Sequence, residues 1–147
     1  MEIAVLGLGC FWGPEIKFSK LDGVIKTEVG YCGGNSARTS YKEVCTGETN
    51  HAEVVKLDFD PEIISYEKII KYFFEFHDPT TLNSQGPDFG TQYRSEIFYL
   101  NDKQKIMAER ILNEENKKLF GKVVTKISAV INYCPAEEYH QKYLEKR

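Results

Sequence analysis

The stretch from Glu2 to Leu8 is short, apolar and unbroken, as a buried strand should be. It runs straight into Gly9-Cys10-Phe11-Trp12-Gly13, with Pro14 and Glu15 behind. Proline suits the first turn of a helix, where its missing N–H has no partner to lose, and the helix dipole favours an acid there. The order strand, glycine turn, helix is therefore predicted, with the helix over Pro14 to Leu21 and Cys10 at its positive end. Free backbone donors and the dipole stabilise a thiolate at such a place, lowering a thiol pKa from ~8.5 towards ~3.5–7.5. Phe11 and Trp12 would form an apolar wall beside the sulfur. A cysteine is also a common small core residue, so position alone leaves a reactive and a packing role open.

Further along, Asp22-Gly23 marks a turn, and Val24 to Tyr31 reads as a second strand. Gly33 to Ser40 is a polar loop leading to Tyr41, Cys45 and Gly47. From Glu53 onward, Glu53, Val55, Leu57 and Phe59 alternate with Val54, Lys56, Asp58 and Asp60. Period-two geometry puts Glu53 on the apolar row. An acid there is paired, sits in solvent at a sheet end, or holds its proton.

Ser65 can cap a helix in which Tyr66, Ile69, Ile70, Phe73, Phe74 and His77 share one stripe, ended by Asp78-Pro79. Thr80 to Thr91 is too long for a simple turn and reads as a functional loop. A strand over Tyr93 to Leu100, a helix from Asn101-Asp102 to about Leu119, a strand over Val123 to Ile131 and a short helix over Glu137 to Leu144 complete the chain. Strands and helices interleave without repeats or linkers. This predicts a single catalytic domain over residues 1–147: an α/β (α+β) two-layer sandwich, its mixed β-sheet covered by helices around a ferredoxin-like core.

Composition narrows the partners. Hydrophobic residues make up 41% of the chain, enough for a core. A net charge of −3 gives no electrostatic case for nucleic acid or an anionic membrane. No apolar run approaches the ~18 residues of a spanning helix, and no basic-then-apolar leader is read at the N-terminus. The four cysteines contain no C-x-x-C pair, so free thiols in a reducing cytoplasm are expected. Cys32, Cys45 and Cys134 with a histidine are too irregularly spaced for a zinc signature.

Cys10, Glu53, the tyrosines and Asp88 are the polar groups oddly placed for structure alone. A thiolate beside an acid whose pKa burial has raised makes a nucleophile and general-acid pair. Tyr41 and Tyr93 are individually uninformative, since tyrosines usually pack the ring and wet the hydroxyl. His51, His77 and His140 are spread out and suit core or helix-end roles.

Gly9-Cys10-Phe11-Trp12-Gly13 with Glu15 resembles the signature of the A-type peptide-methionine sulfoxide reductases. The resemblance continues through Gly30-Tyr31-x-Gly33-Gly34, Tyr41-x-x-Val44-Cys45-x-Gly47 and His51-Ala52-Glu53-Val54-Val55. Asp58-x-Asp60-Pro61, His77-Asp78-Pro79-Thr80, Gln85-Gly86-x-Asp88-x-Gly90-Thr91-Gln92-Tyr93-Arg94-Ser95 and Ala136-Glu137-x-Tyr139-His140-Gln141 complete it. Enzymes of this class are known repairers of methionine sulfoxide.

The resemblance implies Cys10 as the nucleophile that attacks the sulfoxide sulfur, leaving a sulfenic acid, with Glu53 as the acid and Tyr41 and Tyr93 as hydroxyl donors to the oxygen. Phe11 and Trp12 would line the pocket for the S-methyl group, and Asp88 would orient substrate or water. The implied substrate is methionine sulfoxide, free or in proteins, of the S epimer, with no metal or organic cofactor. Family members commonly carry resolving cysteines in a C-terminal tail, whereas no cysteine here follows Cys134. Cys32 and Cys134 are then the candidate resolving residues, and direct reduction of Cys10 by glutathione or glutaredoxin is expected ahead of thioredoxin. A thiol peroxidase and a non-catalytic binding module for oxidised methionine are the rival readings.

Overall fold

In the computed structural model, which describes residues 1–146, the first strand forms as β1 (Glu2–Leu8). Helix α1 (Trp12–Ser19) starts two residues earlier than Pro14 suggested. Proline still costs nothing there, because the first four N–H groups of a helix have no partner within it. The chain continues through β2 (Val24–Cys32), a single-turn α2 (Tyr41–Cys45) and β3 (Ala52–Phe59). The sequence reading missed α2, which is one turn long and shorter than any periodic signal. It is nonetheless capped, since the Ser40 side chain accepts from the Glu43 N–H.

Helix α3 (Tyr66–Glu75) is capped by Ser65 as expected, its hydroxyl accepting from the Lys68 N–H. Within the long loop, β4 (Ser84–Gln85) and β5 (Asp88–Phe89) form a small hairpin. Then come β6 (Ser95–Tyr99), α4 (Asp102–Lys118), β7 (Lys126–Ala129), β8 (Cys134–Pro135) and α5 (Tyr143–Lys146). Three elements differ from expectation. Tyr93 lies in a 3-10 turn over Thr91–Tyr93, ahead of the strand it was assigned to. The strand near the end is shorter, and the terminal helix is broken by Lys142, whose φ is +52°.

The sheet runs β7-β6-β1-β3-β2-β8. Its central four strands are mutually antiparallel and, with α1 and α3 as crossovers, make the expected ferredoxin-like βαββαβ unit. Only β6 and β7 pair in parallel. Phe18 of α1, Ile69, Ile70 and Phe73 of α3, and Ala108 and Ile111 of α4 pack on one face of the sheet. A smaller core of Val5, Cys32, Ala52, Val54 and Phe98 fills the other face. The layers are therefore one mixed sheet and one tier of helices.

Strand direction decides where chemistry collects. Because β1 runs antiparallel to both β3 and β6, its C-terminal end meets their N-terminal ends, with Leu8 opposite Ser95. On the next strand Tyr31 lies opposite Glu53. Segments carrying Cys10, Glu53 and Tyr93, distant in sequence, thus share one end of the sheet.

The C-terminal segment is strapped to this frame by buried polar contacts. Glu15 accepts from the Thr27 hydroxyl at 2.9 Å and from the Lys142 N–H at 2.7 Å. Gln141 accepts from the Val29 N–H and donates to the Val29 and Ala136 carbonyls. Glu15→Ala is expected to leave the buried Thr27 hydroxyl without its acceptor, to release the Lys142 N–H, and to lower stability by roughly 1–3 kcal/mol. A denaturant titration checks this, and an unchanged midpoint would rule it out.

Candidate active site

Gly9 turns the chain after β1 with φ of +96°, a conformation strained for any residue with a side chain. A Cβ there would lie 2.8 Å from the Gln85 side chain, so the glycine also lets the β4–β5 hairpin close on the turn. That hairpin brings the charge of Asp88 to bear on both Cys10 and Glu53.

Glu53 is buried, 1% exposed, on the helix-covered face of β3. The Phe11 N–H donates to its Oε1 at 3.2 Å, while Oε2 is shut from solvent and has no hydrogen-bond partner among the described residues. Removal from water pushes its pKa up to about 8; the Phe11 N–H works against this and the Asp88 charge adds to it. Of the three states left open by the sequence, Glu53 is the acid that holds its proton.

Cys10 departs from expectation. Its pKa is pushed up to about 11, first by burial, with the nearby charges of Glu53, Asp88 and Cys45 adding to it. The helix start does act on the sulfur through the Trp12 N–H, which lowers the value. Desolvation outweighs that single donor. The resting cysteine is a thiol, and the expected low-pKa thiolate does not form in the free protein.

Tyr41 and Tyr93 join this group. Tyr41 and Tyr93 act on each other electrostatically, and Tyr41 acts likewise on the Cys45 thiol. Burial raises the pKa of both tyrosines, that of Tyr93 to about 12, so both stay donors. Glu137 locates the turn that carries Tyr41: its carboxylate accepts from the Tyr41 N–H at 2.9 Å and from the Tyr31 hydroxyl at 2.8 Å.

The apolar wall forms around Phe11 and Trp12, and the terminal segment completes it. Trp12 stacks on Tyr143 at 3.9 Å between ring centroids, and its Nε1–H donates to His140 Nδ1 at 3.1 Å. The buried His140 ring also lies 4.5 Å from Tyr41 and 5.3 Å from Phe11. His140 and Tyr143 therefore pack against the site, and His140 has the buried, helix-end place read from the sequence, at the end of a 3-10 turn over Glu138–His140. Its one sequence signal was its place in the final motif. His77 keeps a structural role, hydrogen-bonded to the Phe73 carbonyl and to Ser95 Oγ.

The candidate resolving cysteines are placed differently. Cys32 points to the opposite face of the sheet from Tyr31, is fully buried, and donates to the Ile131 carbonyl at 3.4 Å. That placement is at odds with a resolving role, since the sheet stands between it and Glu53. Cys134 sits on the edge strand β8 opposite Tyr31, half-buried against the same core as Phe11 and Tyr41, its thiol directed at the Thr39 and Pro135 carbonyls. The exposed Cys45, by contrast, lies within the cluster.

A cysteine, a carboxyl that keeps its proton and hydroxyl donors in an aromatic niche form the site of a thiol-dependent oxidoreductase. A family model described as peptide methionine sulfoxide reductase matches residues 2–147, and the chain belongs to that family. It is 79% identical over 147 residues to the peptide methionine sulfoxide reductase MsrA of Pelagibacter ubique, covering 100% of both chains. With the MsrA of Methanothermobacter thermautotrophicus the identity is 50%, over 99% of this chain and 87% of the other. Among solved structures, reduced Mxr1 from Saccharomyces cerevisiae superposes with a TM-score of 0.95 at 40% identity, over 99% of this chain and 85% of that one. Methionine sulfoxide reductase A of Corynebacterium diphtheriae gives 0.88 at 34% identity, over 99% and 74%.

Two solution tests follow from the site's charge states. An unfolded glutamate loses its proton near 4.5, whereas folded Glu53 keeps it to about 8. Between those values the folded state binds more protons, so stability falls as pH rises, by up to about 1.4 kcal/mol per unit from this group. The stability of the parent protein relative to Glu53→Gln should therefore decline across that window in urea titrations; a constant difference would contradict the protonated acid. Alkylation of Cys10 by iodoacetamide, followed by mass mapping, should be slow at pH 7 and accelerate towards pH 11. A rate already at its plateau at pH 7 would show a thiolate instead.

Proposed function

We propose that the chain acts as one catalytic domain that reduces methionine sulfoxide, free or within proteins, to methionine. Preference for the S epimer rests on the family resemblance. The observation that carries this reading is Glu53 Oε2: a buried carboxyl oxygen without a partner, in an acid that keeps its proton at neutral pH. Such a group is suited to meet an incoming acceptor, and a sulfoxide oxygen is one.

Glu53 gives its proton to the sulfoxide oxygen while the Tyr41 and Tyr93 hydroxyls hydrogen-bond to it, which draws electrons from sulfur. Cys10 Sγ attacks that sulfur, and the thiol proton returns to the Glu53 carboxylate. Glu53 gives its proton again, the S–O bond breaks and the oxygen leaves as water. Water then adds to Cys10 Sγ, returning a proton to Glu53 and breaking the bond between the two sulfurs, so that methionine leaves and a sulfenic acid remains, the substrate sulfur reduced and the cysteine sulfur oxidised by two electrons. Phe11 and Trp12 hold the S-methyl group, and Asp88 orients substrate or water at the hairpin rim. The attacking thiol and the protonating acid need no pre-formed ions in this scheme. That agrees with the raised pKa values of both.

An external thiol returns Cys10 to its starting state. The yeast relative Mxr1 has been solved in complex with Trx2, which supports a thioredoxin for this chain as well, alongside glutathione or glutaredoxin. No helix among the described residues is long and apolar enough to cross a membrane, and the cytoplasm is the proposed site of action.

Cys10→Ser is expected to abolish methionine release from the sulfoxide, measured by chromatography of the product. Retained turnover would remove Cys10 from its role. Glu53→Gln should slow single-turnover release by about 10²–10⁴-fold, the contribution of a positioned acid. Equal rates for the two proteins would exclude Glu53 as the proton donor, and reaction with hydrogen peroxide but not with the sulfoxide would favour a thiol peroxidase.

A further inference from the structure

We infer that Arg94 is a positioning residue for the reaction, its guanidinium holding the 3-10 turn that presents the Tyr93 hydroxyl; the inference rests on the reductase reading above. Tyr93 stands at the end of the long loop, ahead of β6 and outside the ladder of the sheet. Its N–H donates to the Gly90 carbonyl at 3.0 Å, a bond inside the turn itself. A turn closed on itself needs an anchor from outside to fix where its side chains point, and Arg94 supplies one.

Arg94 is buried, and its fork reaches three segments. Nε donates to Glu96 Oε1 at 2.6 Å, Nη1 to the Thr91 carbonyl at 2.9 Å and Nη2 to the Asn50 carbonyl at 3.0 Å. Thr91 opens the turn that carries Tyr93, and Asn50, at φ of +58°, lies just ahead of β3 and Glu53. Glu96 is held in turn, its Oε2 accepting from Ser128 Oγ of β7 at 2.6 Å. The guanidinium thus ties the Tyr93 turn both to β6 and to the segment entering β3. An ion pair alone would use one nitrogen of the fork, whereas here the other two fix main-chain carbonyls. A lysine, a point charge on a flexible stem, offers no such fork.

The clamp lies behind the site. A Cβ on Gly33 would come 2.7 Å from Phe98 Cε1 and 3.2 Å from Arg94 Nη2, so the guanidinium sits beside the Phe98 ring of the smaller core. That is the face of the sheet away from Phe11, Tyr31 and the helices. Arg94 is therefore placed to act through the backbone and not on the reacting atoms. The path through the sheet is short: a Cβ on Gly7 of β1 would lie 3.4 Å from the carbonyl oxygens of both Arg94 and Glu53. Tyr93 and Glu53 are thus set against the same strand, one from each side, with the fork of Arg94 bridging the segments that lead into them.

The test compares the parent protein with Arg94→Lys, which keeps a cation opposite Glu96 and loses the fork. Arg94→Gln/Glu96→Gln, which leaves no lone buried charge, serves if the first variant fails to fold. Single-turnover methionine release should slow about 10–100-fold in either, the cost of a donor displaced by about an ångström. The half-saturating sulfoxide concentration should stay within about threefold of the parent, since the lost contact strengthens in the transition state. Tyr93→Phe should slow the parent but add less than about threefold on the Arg94→Lys background, because the two residues act as one unit. Amide exchange at Tyr93 and Arg94 should quicken in Arg94→Lys while that of β1 and β3 keeps the parent rate. Equal release rates in parent and variants, effects of Arg94→Lys and Tyr93→Phe that multiply, or exchange that quickens throughout the sheet each overturn the assignment and leave Arg94 a stabilising ion pair. Absence of methionine release from the parent protein overturns the reductase reading itself and this assignment with it.

Discussion

The Phe11 N–H bond to Glu53 Oε1 is the contact on which the site depends. It joins the turn after β1 to the start of β3, and so fixes the residue next to the cysteine against the buried acid. It satisfies one carboxyl oxygen and leaves the other dry and unpaired. A single neutral donor is too weak to hold a carboxylate in that position. Moving the pKa of Glu53 from 4.5 to about 8 corresponds to a differential on the order of a few kcal/mol in favour of the neutral form. A second donor on Oε2 would stabilise the anion and remove the proton that the proposed chemistry uses. The pairing is incomplete, and that incompleteness keeps the acid loaded.

The same desolvation acts on Cys10, and there it opposes a simple view of activated thiols. A helix start and a backbone N–H near the sulfur are two of the features that lower a thiol pKa. In this fold they lose to burial and to the acids that face the sulfur. Glu53 and Cys10 therefore form a neutral pair, and protonation of Glu53 removes one of the charges that disfavour the thiolate. A neutral substrate with a strong S–O dipole enters such a niche without having to displace a counter-ion. Transfer of one proton from acid to oxygen and another from thiol to carboxylate leaves the net charge of the site unchanged throughout.

The frame of this molecule was readable in its sequence because its elements are long enough to show a period. Alternation from Glu53 to Phe59 put the acid on the core-facing row, and β3 has that register. The stripe on α3 and its Ser65 cap likewise follow from side-chain spacing. What escaped has a common cause: α2, the strands β4 and β5 and the edge strand β8 are each two to five residues long, too short for periodicity. Their positions are set by single contacts such as Tyr41 N–H to Glu137 and Gln85 against Gly9. The site residues were legible as a list through the motif resemblance, but the protonation state of Cys10 was not. That depends on how much water the folded walls exclude, which no local pattern records.

The short elements are also where a cycle of oxidation and repair would be accommodated. β1, β3 and α1 hold Glu53 and the start of the helix in a buried lattice, so the acid and the aromatic wall have little room to shift. Tyr41 and Cys45 ride on one turn, tethered at its start by Ser40 and Glu137 and followed by a glycine in the left-handed region. The site thus joins a rigid half that fixes the acid to a one-turn element held by single contacts.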